Sequence, residues 1–147
     1  MSGSYTVGDQ ADRLVAVDTS ADLAIAQRLL QEQATLAAIR AQLLQTLGNI
    51  RGTATAEVIA LPLVNLCLQK DPFDGSETLY GEWRFSPGKG APRKWGQVQI
   101  HGGGQVFAEC DVICPHPTDS RWFVEAVTLW GSRDSIKSEL RLLPAVN

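Results

Sequence analysis

The triplet Gly102-Gly103-Gly104 sits between two runs that fit each other residue by residue. With His101 opposite Gln105, Ile100 faces Val106, Val98 faces Ala108 and Gly96 faces Cys110. All of these are apolar or small. The other parity pairs Gln99 with Phe107, Gln97 with Glu109 and Trp95 with Asp111. A one-residue slip would exchange the two sets and bury polar groups, so one register is specified. A hairpin of this kind commits the C-terminal half to an antiparallel sheet.

The pattern extends in both directions. On the preceding strand Leu79, Gly81, Trp83 and Phe85 take the inward parity, which sets Trp83 over Gly96, while Tyr80, Glu82 and Arg84 point outward. On the following side, placing Cys114 opposite Trp122 turns Trp122, Val124, Ala126, Thr128 and Trp130 inward. A last strand over Ser135 to Leu142 adds Ile136, Leu140 and Leu142, and Glu125 then falls across from Arg141 as a favourable charge pair. The same register leaves Phe107 beside Leu129, and Ile113 beside Phe123, on the outward face. Apolar groups on both faces exceed what one helix can cover, so the sheet either curls or meets a second subunit.

Upstream, Glu57 to Leu68 is apolar on both parities, with Leu61 and Leu63 on one side, and Pro62 disfavours a central position. It reads as the first strand of the meander, an edge that needs covering. Asp71-Pro72 and Asp74-Gly75 mark the turn that follows.

The segment Ala21 to Leu47 contains no Gly or Pro and is rich in Ala, Leu, Gln and Arg. Thr19 is placed to cap it, with Asp22 in capping-box position, and Gly48-Asn49 supplies a stop. Leu29, Leu36, Leu43 and Ile50 recur every seven residues, with Ile39 near the second apolar position, interrupted by Glu32 and Thr46. This seam fits either a helix laid on its own sheet or a self-associating coiled coil. The expected organisation is an arm over residues 1–18, an amphipathic helix over 19–50, and a β domain over 56–147 that folds as one unit with the helix. The fold class is α+β: a long N-terminal helix followed by a five- to six-stranded antiparallel meander, open or half-closed.

The chain has 147 residues and a net charge of −3, about one domain without the basic surplus of a nucleic-acid binder. No apolar run approaches a membrane span, and Met1 to Asp18 lacks a basic start followed by an apolar block, so a cytoplasmic protein is expected. Three cysteines, Cys67, Cys110 and Cys114, fit free thiols; four strand positions separate the last two by about 13 Å, too far for a disulfide.

Chemistry-bearing groups are sparse. His101 and His116 share no zinc-site spacing with Cys110 and Cys114, so no metal and no cofactor is expected. Glu109, Asp111 and Glu125 lie among Arg84, Lys94, Lys137 and Arg141, which reads as a charge lattice rather than an acid–base pair. No Ser, Cys or Thr stands beside a His base in the sequence pattern, so no catalytic residues are assigned. The favoured function is a non-enzymatic structural or assembly protein acting as a homo-oligomer. Its interface would use Leu29, Leu36, Ile39, Leu43, Leu61, Leu63, Phe107 and Leu129. A second reading is a small-ligand-binding or enzymatic barrel with an apolar pocket lined by Trp83, Trp122 and Trp130. A third is a phosphate- or nucleic-acid-binding loop over residues 87–95 using Lys89, Arg93 and Lys94, against which the net charge argues.

Overall fold

The computed structural model describes residues 19–48, 50, 53–86, 90 and 93–145, except the side chains of 19 and 53–56. Three helices, α1 (Thr19–Gln31), α2 (Gln33–Leu47) and α3 (Thr53–Ala60), precede six strands. These are β1 (Val64–Lys70), β2 (Glu77–Phe85), β3 (Arg93–His101), β4 (Gln105–Pro115), β5 (Trp122–Ser132) and β6 (Ser135–Pro144). They form one open antiparallel sheet in chain order, β1-β2-β3-β4-β5-β6. The expected arm over residues 1–18 lies outside the described residues.

The central hairpins follow the alternation of the sequence. Trp83 pairs with Gly96, Gly96 with Cys110, Val98 with Ala108 and Ile100 with Val106. Gly96 is required there: a Cβ would stand 2.6 Å from the Glu109 carbonyl oxygen and 3.1 Å from Cys110 Cβ. Trp83 is fully buried and meets Trp95 edge to face, with centroids 6.4 Å apart. Trp95, expected on the outward parity, therefore packs against the core, where the register shifts between Trp83 and Arg84.

The alternation fails in β5. Cys114 lies opposite Val124, not Trp122, and Phe107 lies opposite Trp130, not Leu129. Bulges between Asp111 and Cys114 and between Val124 and Ala126 change the phase. Val124 and Ala126 are buried as expected, but beyond the bulge Val127 and Leu129 join the core, while Trp130 is 43% exposed. Ile113 marks the bulge in β4, with φ 49° and 73% exposure. A β-branched residue with positive φ is a strained position that the surrounding ladder holds in place. Arg141 pairs in register with Ala126, yet its guanidinium still reaches Glu125 at 3.6 Å and Glu109 at 2.7 Å.

The N-terminal elements also depart from expectation. The helical stretch is divided at Glu32, and Gly48 caps α2 in a right-handed conformation, donating to Leu44 O at 2.8 Å. Residues 57–60 belong to helix α3 and not to a strand. Val58 and Ile59 are both buried there, because a helix packs adjacent apolar residues that a strand would send to opposite faces. The strand begins only at Val64 and is, as expected, an edge.

Leu36, Ile39, Leu43 and Leu47 of α2 lie on the same sheet face as Trp83, Val98, Ile100, Ala108, Cys110 and Leu129. Burying four such leucine-class side chains contributes on the order of 6–12 kcal/mol before chain entropy is counted. The predicted seam is thus core packing within one chain.

Candidate functional site

Of the eight residues expected at an oligomer interface, Leu36, Ile39, Leu43 and Leu129 are buried, and Leu29 and Leu63 are half-buried against the core. Leu61 is exposed and Phe107 is half-buried on the outer sheet face. The surface carries a different seven-residue row: Leu23, Leu30, Ala37 and Leu44, all exposed. The three leucines are 58%, 66% and 40% exposed. Ala26, Ala34 and Ala41 are exposed between them. From Leu23 to Leu44 the charged side chains are Arg28, Glu32 and Arg40, and each is held by partners within the chain. Glu32 is buried, Arg28 is held by Glu32, and Arg40 donates to the Ile59 carbonyl oxygen at 3.1 Å. The signal was present in the sequence, because this row has the same spacing as the buried one. The longer run of large apolar residues in the buried row masked it.

Glu32 joins the helices to the hairpin tips. Arg133, from the turn after β5, donates through Nε to Oε1 at 2.9 Å and through Nη2 to Oε2 at 2.5 Å. Arg28 Nε donates to Oε2 at 3.0 Å, and its other nitrogens donate to the carbonyls of Glu77 and Ile100. Thr35 Oγ1 donates to Oε1 at 3.2 Å. The Arg133 hydrogen bonds hold the Glu32 carboxyl below the usual carboxylate range, against the opposing effect of burial.

The outer sheet face is a charge lattice, in two connected groups. In the first, Glu82 accepts from Tyr80 Oη at 2.5 Å, Asn65 Nδ2 at 3.0 Å and Arg84 Nε at 3.0 Å. Those hydrogen bonds, the Tyr80 one foremost, bring the Glu82 carboxyl down to about 2. Burial and the bond to Glu82 push the Tyr80 phenol up. Asn65 reaches Glu82 from a left-handed backbone position, φ 53°, in the β1 bulge. In the second group Arg141 bridges Glu109 and Glu125, and Thr128 Oγ1 donates to Glu109 at 3.3 Å. Burial and the neighbouring Glu109 raise the Asp111 carboxyl.

One arrangement invisible in the linear pattern is Asp74–Ser76–His101. Ser76 Oγ lies 2.9 Å from His101 Nε2 and donates to Asp74 Oδ1 at 2.7 Å. A serine does therefore stand beside a histidine, contrary to expectation. The order is wrong for nucleophilic catalysis. The Gly103 backbone N–H donates to His101 Nδ1 at 2.9 Å, so the neutral ring carries its proton on Nε2 and donates to Ser76. A base would have to accept from the hydroxyl instead.

Trp83, Trp122 and Trp130 are not brought together. Trp83 is core, Trp130 lies outward beneath Lys137 Nζ at 5.0 Å, and Trp122 borders an open depression at the β4–β5 loop. That depression, of about 480 Å³, is formed by Pro115, His116, Asp119, Ser120, Trp122 and Phe123 among others. His116 Nδ1 accepts the backbone N–H groups of Thr118 and Asp119, both at 3.1 Å. Asp119 is taken up by Arg121 at 3.0 and 2.8 Å, which depresses its carboxyl to about 2. The polar groups here stabilise the loop. Trp83 Nε1 is buried with no hydrogen-bond partner among the described residues.

Of the candidate anion-binding loop, Lys89 lies outside the described residues. Arg93 is exposed, and Lys94 donates to Gln97 Oε1 at 2.7 Å and lies over the Tyr80 ring. Cys67, Cys110 and Cys114 form no disulfide with one another, and burial pushes the Cys110 thiol up to about 12. Among the described residues no three His, Cys, Asp or Glu side chains gather as a metal site, and no helix is long and apolar enough to cross a membrane. No protein-family model matches the chain, and no curated protein or solved structure shows significant similarity to it.

Proposed function

We propose that this chain is a non-enzymatic assembly protein that acts as a homo-oligomer, its copies packing through the outer face of α1 and α2. The observation that supports this is the exposed row Leu23, Leu30, Ala37 and Leu44, flanked by charged side chains that are held within the chain. A second copy suits it on symmetry grounds. A two-fold axis sets a surface against itself, so a row whose exposed side chains are leucine and alanine meets its own image without repulsion. The intervening alanines let two helices approach closely. Contiguous exposed apolar surface on a small chain marks a contact.

Replacing Leu30 and Leu44 together by Glu tests this reading. Both side chains are exposed, so thermal unfolding should shift little while the solution mass falls below that of the parent. An oligomer that keeps its mass in the double variant contradicts the helix face as the contact.

A further inference from the structure

The two edges of the sheet differ. β1 has seven residues, and its register shifts between Val64 and Cys67, where Asn65 takes a positive φ. Such a bulge blunts an edge. β6 has ten residues and pairs with β5 without any shift from Ser135 to Arg141. Among the strands it neighbours β5 alone, and eight of its ten residues are exposed. Among the described residues it is the regular, unpaired edge of the sheet.

We infer that β6 pairs antiparallel with β6 of a second copy about a two-fold axis at Ser138, joining two sheets into one. Residues opposite one another in a continuous sheet share a face, so the axis must pass through a residue. Lys137, Glu139 and Arg141 lie on one face, and they discriminate among the choices. An axis at Lys137 sets Lys137 against itself. An axis at Glu139 sets Glu139 against itself and Lys137 against Arg141. An axis at Leu140 draws Pro144, which has no N–H to donate, into the ladder opposite Ile136. The axis at Ser138 sets Lys137 opposite Glu139 twice and Ile136 opposite Leu140 twice. Like charges directly opposite are unfavourable and opposite charges favourable, so the pattern favours this register. Glu139 has no ion pair among the described residues, leaving its carboxylate available for this contact. The α2 flank beside Ser138 presents Gln42 and Thr46, which hydrogen-bond its hydroxyl at 3.3 and 3.1 Å and carry no charge to oppose a partner. Main-chain hydrogen bonds along the edge supply affinity, as in strand addition generally, and the side chains fix the register.

This contact extends the self-association reading but uses a different surface, so each can fail alone. The full chain carrying Ser138→Cys should form a disulfide between the two substituted positions on mild oxidation, because paired Cα atoms across a ladder lie within disulfide reach. Lys137→Glu or Glu139→Lys added singly should weaken that linkage about tenfold, since each turns two attractive pairs repulsive. Mixing the two single variants should restore it as a heterodimer. Absence of the 138–138 linkage, or single variants that link as readily as the parent, would overturn the inference. If Ser138→Cys perturbs the fold, amide exchange on the unaltered chain decides instead: β6 amides should slow with rising concentration, and no concentration dependence would count against the pairing. The helix-face variants are read separately, by mass.

Discussion

Glu32 and Arg133 are 101 residues apart in the chain and meet in a two-pronged ion pair. The carboxylate that interrupts the apolar rhythm of the helix ties α1 and α2 to the β5–β6 hairpin. Removing one partner of a buried pair costs about 3–5 kcal/mol when both are fully desolvated. Arg133 is 38% exposed, so Glu32→Gln should cost less, about 2 kcal/mol, read as a lowered denaturant midpoint with an unchanged slope. A variant as stable as the parent would show the pair to be dispensable.

Acid should loosen the outer face through Glu82. Its folded-state value of about 2 lies below the ordinary 4.5. The stabilisation is therefore fully present above about pH 4.5 and is lost as the pH falls from there through about 2. Tyr80→Phe removes the first of the hydrogen bonds responsible. In that variant the Glu82 carboxyl carbon, followed by NMR, should titrate at higher pH; an unchanged midpoint would contradict the assignment.

The thiols should divide by environment. Cys110 is buried and pushed up to about 12, whereas Cys67 and Cys114 are half-buried. A thiol reagent near pH 8 should label Cys67 and Cys114 in the native chain and reach Cys110 only on unfolding. Native labelling of Cys110 at the rate of the others would contradict the packing of β4.

Gly96→Ala should be strongly unfavourable, because the new methyl meets backbone at 2.6 Å beneath Trp83. Overpacking of this kind costs about 1–3 kcal/mol. A neutral effect in thermal unfolding would show that β3 and β4 can separate without loss.

What was legible in the sequence follows from where the pleat is regular. The pairings of β3 with the first half of β4, and of β2 up to Trp83, obey the alternation, and Trp83 over Gly96 could be read from it, whereas the shift beyond Trp83 that turns Trp95 to the core could not. Two bulges reset the phase in β5, and no residue there advertises them, so Leu129 and Trp130 exchange faces. Glu57 to Leu68 carries apolar residues on both parities, which a short helix and a strand satisfy equally; only tertiary packing turned residues 57–60 into helix. The exposed leucine row escaped because two rows of seven-residue spacing run along the same helices, and the sheet covers only one.

Sedimentation equilibrium of the unaltered chain tests the central claim of self-association most directly. At tens of micromolar the mass should be a multiple of 15.9 kDa and should fall on dilution. A single species of 15.9 kDa across that range would contradict assembly through either surface.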